Sequence, residues 1–258
     1  MNSQITIIIH TYNEEKSLEA CIASAKLLSN RIVVIDTEST DRTVEIARAA
    51  DIPVFSFPHS LYVEPARNFG IQHAESKWVF ILDADERITQ EFVNEVLDVI
   101  NTTQCTYFKI PRKNIFGGIK WLQHGGWWPD FTTGRLLNKE SFIDWPQEIH
   151  STPHMKGTLG ELHVPFLHYF HGDLSSMVHK TLIYEDIEAQ LLHNAQRSVR
   201  TTTFFRKFIA ELTRRLIFKA GFLDGTFGII ESVYQAFSKT ITWILLFEKK
   251  FVLNNRLE

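Results

Sequence analysis

Four short runs of β-branched and other apolar residues, each followed by a segment of helical periodicity, occupy most of the first hundred positions. That alternation confines the chain to few folds. Ile5–His10 reads as a strand, and Lys16–Leu28 then places Leu18, Cys21, Ile22, Ala25 and Leu28 at helical spacing. Arg31–Asp36 is a second strand, after which Ser39, Thr40 and Asp41 offer N-cap oxygens for a helix to Ala50. Pro53–Phe57 is a third strand, and Pro65 suits the first turn of a helix reaching about His73. Trp78–Leu82 is a fourth, followed by an amphipathic helix over Gln90–Ile100. Strand and helix at this spacing mean crossover units on a parallel sheet. The nearly continuous apolar strands mean that both sheet faces are covered.

Ligands on such sheets bind beyond the carboxyl ends of the strands. Those ends are His10–Glu15, Asp36–Asp41 and Asp83–Glu86, so polar and acidic groups collect on one edge. Asp83 and Asp85, two residues apart at a strand end, can hold a hard divalent cation that takes its other ligands from phosphate oxygens. A departing diphosphate needs that neutralisation. An arbitrary DxD is more often a solvated turn with its second carboxylate capping the next helix; the position after a fourth parallel strand reverses the preference. Asp36 can accept the imide N–H of uracil, or serve as a turn residue. Thr11, Asn13 and Glu14 end the first strand where a helix start offers backbone N–H groups to a ligand, with capping by Asn13 as the plain alternative. Arg67 can reach a pyrophosphate or form a surface ion pair.

The balance of 27 basic and 30 acidic residues in 258, a formal charge of −3, does not suggest a nucleic-acid binder. Cys21 and Cys105 form neither a CxxC pair nor a zinc spacing, and read as two buried thiols in a reducing compartment. MNSQITIIIHTYNEE lacks a basic leader, and no stretch supplies the roughly 20 apolar residues of a membrane span, so a cytoplasmic protein is expected.

From about Pro111 to Pro165 the chain turns dense in Gly, Trp and His, with strand candidates at Thr132–Leu137 and Glu161–His168. Three helical stretches follow, about Ser176–Gln196, Thr202–Ala220 and Thr226–Lys249. Asp130, Glu148 and His150 are candidates for the group that takes an acceptor proton. Asp130 stands first because Trp127 and Trp128 precede it and aromatic faces stack on sugar rings, although large aromatics are also mostly buried. His163, His168 and His171 show no recurring acidic partner and read as structural or solvent-facing. Arg197–Lys219 carries seven basic residues and one acid, Glu211, interleaved with Phe204, Phe205, Phe208, Leu212, Leu216, Ile217 and Phe218. That pattern suits either an anionic membrane surface or a packed helix with a solvated basic face.

Taken together, ITIIIHTYNEE, VVIDTESTDRTVEIA, PARNFGIQHAESKWVFILDADE and HGGWWPDF resemble glycosyltransferase family 2, and with GFLDG (Gly221–Gly225) its bacterial lipopolysaccharide-core glucosyltransferase branch. The resemblance implies a GT-A-type α/β fold with a mostly parallel central sheet. It implies inverting transfer of a hexose, glucose from UDP-glucose, to a saccharide or glycolipid acceptor with Mg2+ or Mn2+. Thr11, Asn13 and Glu14 match the first nucleotide-binding segment, Asp36 the uracil-binding aspartate, and Asp83 and Asp85 the metal-binding DxD. A catalytic domain over 1–172 (nucleotide half 1–104, acceptor half 105–172) and a helical extension over 173–258 are expected. The chain departs from the pattern with His10 in place of proline and Glu38 in place of glycine. Ser151 also follows His150 where this branch tends to carry glutamate. A polyprenyl-phosphate sugar transferase, a nucleotidyltransferase and a degenerate binding module are the competing readings.

Overall fold

The computed structural model describes residues 4–170 and 174–252. Its elements are β1 (Ile5–Thr11), α1 (Leu18–Ala25), β2 (Ile32–Asp36), α2 (Thr43–Ala49), β3 (Val54–Ser56), α3 (Glu64–Gln72), β4 (Trp78–Asp83), β5 (Glu86–Arg87) and α4 (Gln90–Thr102). There follow β6 (Tyr107–Phe116), β7 (Lys120–Trp121), β8 (Asp130–Asn138), β9 (Phe142–Asp144), β10 (His154–Met155), β11 (Leu159–Glu161) and β12 (Phe166–Phe170). The helices α5 (Leu174–Asn194), α6 (Thr201–Thr213) and α7 (Gly225–Phe247) complete the chain.

The chain divides into two compact units, 1–113 with 130–169, and 114–129 with 170–258. The boundary expected at 172/173 lies outside the described residues, and the division groups the segment from Asn114 to Pro129 with the C-terminal helices.

In the first unit the main sheet runs β3-β2-β1-β4-β8-β6-β12-β5. The first four strands are parallel, while β8 joins β4, and β6 joins β8, antiparallel. Parallel pairing therefore covers the four strands read from the crossover pattern, and an antiparallel half is added to it. Every residue of β1 and β2 is buried, as strands covered on both faces require. One core layer packs α1 and α4 on the sheet around Ile7, Leu18, Phe80 and Phe92; the other packs α3 around Ile8, Ile35, Ile71 and Ile81. At Gly70 α3 lies so close to β1 and β2 that an added Cβ would meet Ile8 at 2.9 Å and the His10 ring at 3.0 Å.

In the second unit α5 and α7 pack along each other, as do α6 and α7, around Ala189, Val199 and Leu246. The segment Gln123–Gly125 is fastened there. Asp224 accepts the backbone N–H groups of Gln123 and His124 and meets His124 Nδ1 at 3.1 Å, while Arg215 donates to the Gly125 carbonyl. Cys21 is buried but Cys105 only partly so, a correction to the pair of buried thiols; both are free.

Candidate active site

The carboxyl ends of β1, β2 and β4 lie side by side, because Thr11 pairs with Asp36 and His10 with Asp83. Asp36 is buried; its Oδ2 accepts the Ser39 N–H at 3.0 Å, and its Oδ1 has no hydrogen-bond partner. The neighbouring Thr11 Oγ1 is likewise buried without a partner. Each such atom costs about 1–3 kcal/mol when left unmade. Two of them on adjacent strand ends form a place where a ligand donor is rewarded.

The turn after β1 differs from its expected use. The N–H groups of Asn13, Glu14 and Glu15 donate to Ser39 Oγ (2.8 Å), Thr43 Oγ1 (2.8 Å) and Asp41 Oδ2 (3.0 Å). They are consumed by the loop leading into α2 and are not on offer to an anion. Nor does Asn13 cap α1, which begins at Leu18; its φ is +53° and its Oδ1 accepts from Thr40 N. Glu38 adopts φ +64°, so the loop takes a left-handed turn at a non-glycine residue at a cost of about 1–2 kcal/mol.

Asp83 is gripped by two guanidiniums. Arg67 Nη2 stands 2.9 Å from its Oδ1, and Arg135 Nη2 stands 2.6 Å from its Oδ2 and 3.1 Å from Glu86 Oε1. Burial alone would raise the Asp83 carboxyl; Arg135 and Arg67 outweigh it and hold the group well below the usual carboxylate range. Burial pushes Glu86 up, against the pull of Arg135. The sequence places Arg67 either against a pyrophosphate or in a surface ion pair; it is buried, and its ion pair with Asp83 is an interior one.

His10 completes this set from below. Its ring meets Arg67 Nη1 at 3.0 Å through Nδ1 and the Ala66 carbonyl at 3.4 Å through Nε2. An arginine can only donate, so Nδ1 accepts and Nε2 carries the proton. Burial, then Arg67, depress the His10 pKa well below its ordinary value, so the ring is neutral.

Asp85 does not cap α4, whose first turn is closed by Thr89 accepting from Phe92 N. Its Oδ2 instead stands 3.5 Å from Nε2 of His168 on β12, and its carbonyl accepts from Tyr169 N. His168 thus has an acidic partner, and so does His163, whose Nδ1 lies 3.2 Å from Glu95; the expectation that these histidines lack acids is corrected. His171 lies outside the described residues. One carboxylate oxygen and one imidazole nitrogen, both partly exposed, suit a cation of intermediate hardness such as Mn2+, with phosphate oxygens to complete its shell. Among the described residues no three acid, cysteine or histidine side chains form a metal cluster.

Asp130 opens β8 and is joined to the same network. Arg112 Nη2 and Nε both reach its Oδ2 at 2.8 Å, and Arg112 Nη1 lies 3.7 Å from Glu86. Glu148 and His150 are exposed on the loop after β9, where His150 N donates to Glu64 Oε1 of α3. Trp127 is less available for stacking than expected, since Phe170 lies 4.9 Å from its ring and the Arg215 guanidinium 5.3 Å over it. Arg135 and Arg112 escape the sequence reading, which gives Glu86 no role beyond the acidic strand end and reads His168 as structural or solvent-facing. Arg135 leaves a trace, a charge between Gly134 and Leu136 inside the strand candidate Thr132–Leu137.

The doubly covered sheet, with polar and acidic groups at the carboxyl ends of its parallel strands, is the GT-A fold. The Glycosyl transferase family 2 profile matches residues 6–155, more than half of the chain, and the chain belongs to that family. An uncharacterized glycosyltransferase of Rickettsia typhi is 25% identical over 249 residues, 92% of this chain and 84% of that protein. The glycosyltransferase SunS of Bacillus phage SPbeta is 35% identical over 98 residues, 37% of this chain and 23% of its own length. The crystal structure of S. aureus TarS 1–349 in complex with UDP shares the fold at a TM-score of 0.51, with 16% identity over 96% of this chain and 91% of that one.

Proposed function

We propose that the chain is an inverting, metal-dependent hexosyltransferase that moves glucose from UDP-glucose to a saccharide acceptor of a lipopolysaccharide core or related cell-surface glycan. The observation that carries the donor reading is the pair of buried, unpartnered oxygens, Asp36 Oδ1 and Thr11 Oγ1, on adjacent strand ends. Asp36 Oδ1 accepts the uracil imide N–H and Thr11 lies beside the base. TarS, of the same fold, has been solved with UDP.

Asp85 and His168 would hold a divalent cation, which when bound would supply neutralisation of the charge on a departing diphosphate. Asp83 acts from behind: locked by Arg67 and Arg135, it fixes the end of β4 from which Asp85 projects. Asp130 takes the proton of the acceptor hydroxyl as its oxygen attacks the anomeric carbon opposite the breaking bond. Its tie through Arg112 to Glu86 supports it over Glu148 and His150, which sit on an exposed loop. A lipid-linked acceptor would bring the chain to the cytoplasmic face of a membrane, with the basic segment 197–219 as the contact. Among the described residues no helix is long and apolar enough to cross one.

Calorimetry tests the donor reading. Uridine diphosphate should bind more tightly than guanosine diphosphate, and Asp36→Ala should weaken uridine diphosphate by about tenfold, the value of one satisfied buried acceptor. Equal binding of both nucleotides, unchanged by the substitution, reduces Asp36 to a turn residue.

A further inference from the structure

The connection between α6 and α7 displays apolar side chains that are left in solvent among the described residues. After α6 the backbone continues through a wide turn at Arg214–Phe218, a left-handed Ala220 (φ +54°) and a short turn at Gly221–Asp224. Ile217, Phe218, Phe222 and Leu223 are 56%, 79%, 49% and 59% exposed along it. Phe205 and Ile209, one helical turn apart on α6, are 70% and 60% exposed. Apolar side chains of this size clustered in water mark a contact surface, because removing them from water is favourable.

This connection is held in shape. Asp224, at its end, takes three hydrogen bonds from the Gln123–His124 segment; Arg215 donates to the Gly125 carbonyl, and Lys219 O accepts from Gly125 N. A frayed end would not be braced in this way. The charge around it is basic. Arg206 and Lys219 are exposed, Arg214 is about half exposed, and the single acid, Glu211, is occupied by Arg214 and Arg215. Seven basic groups against one acid, in a chain whose formal charge is −3, mark this segment as the complement of an anionic surface.

We propose that the α6–α7 connection is a membrane-insertion wedge. Ile217, Phe218, Phe222 and Leu223 enter the boundary between headgroups and acyl chains, and Arg206 and Lys219 pair with anionic headgroups. Apolar insertion flanked by basic residues is the arrangement that holds a protein in the plane of an interface without spanning it. The proposal rests on the reading that the acceptor is lipid-borne and specifies how the chain meets that lipid.

Sedimentation of the full chain with vesicles tests it. Vesicles of phosphatidylcholine with phosphatidylglycerol should bind the chain, phosphatidylcholine alone much less, and raised salt should weaken binding. Phe218→Ser combined with Leu223→Ser should lower vesicle affinity about tenfold or more while thermal unfolding and uridine diphosphate binding stay unchanged, because both side chains are already in solvent. Phe218→Trp should gain quenching by brominated lipid over the parent. Unchanged affinity in the double variant, absence of quenching, or a self-association that this variant abolishes while vesicles fail to bind, each overturns the wedge. Vesicle binding without uridine diphosphate binding would instead overturn the donor assignment alone.

Discussion

Arg67 Nη2 lies 2.9 Å from Asp83 Oδ1, with the guanidinium buried beneath the end of β4, so the first carboxylate of the DxD is held between arginines while the second, Asp85, stands 3.5 Å from the His168 imidazole. The two should respond differently to the same substitution. Asp83→Asn leaves Arg67 and Arg135 underbalanced in the interior and should lower stability by roughly 3 kcal/mol, as when one partner of a buried ion pair is removed. Asp85→Asn should leave the unfolding curve nearly in place and cut donor turnover by on the order of 100-fold, with the response to Mn2+ lost. Chemical denaturation and donor hydrolysis, run on both variants, read the contrast. Full activity of Asp85→Asn, or of the parent in excess chelator, removes the cation from the mechanism.

His10 supplies a pH dependence of stability. It faces Arg67 from α3, Asp83 from β4 and Arg135 from β8, and its folded pKa is depressed by burial first and Arg67 second. The unfolded ring takes a proton near its ordinary value of about 6.5, whereas the folded ring does not until much lower pH. The unfolded state therefore binds more protons below about pH 6.5. The stability from His10 is complete above that pH and declines as pH falls, by up to about 1.4 kcal/mol per unit. Denaturation of the parent and His10→Gln between pH 7.5 and 5.5 should show that slope in the parent and a flatter line in the variant. Parallel curves would mean that the folded ring protonates as readily as the unfolded one.

Asp130→Asn keeps an acceptor oxygen for Arg112 and removes the proton acceptor. Transfer to the acceptor should fall by on the order of 100-fold or more, with uridine diphosphate affinity nearly unchanged. If Glu148 or His150 takes the proton, Asp130→Asn keeps most of its rate and Glu148→Gln or His150→Gln loses it. Steady-state rates of the three variants, with donor affinity measured separately, decide between them.

The strands β1 to β4 and the helices between them are legible in the sequence, because period-2 and period-3.6 patterns are local and each element is built from one uninterrupted run. The strand ends that carry Asp36, Asp83 and Asp85 follow directly from that order. β6 is not legible, because Pro111 and four charged or amide side chains interrupt it. Its pairing with β8, where Pro111 faces Phe131, and with β11 makes it a strand. The site itself is less local still. Arg135 reaches Asp83 from 52 residues away, Arg67 from 16, and His168 reaches Asp85 from another strand. The N–H groups after β1 are taken by side chains from the loop before α2 and from its first residue, Thr43, which no spacing rule anticipates. Sequence determined which residues stand at the edge, because secondary structure is set by neighbours along the chain. Tertiary structure alone decided which carboxylates are neutralised and which remain for a ligand, because charge pairing depends on groups that only folding brings within a few ångströms.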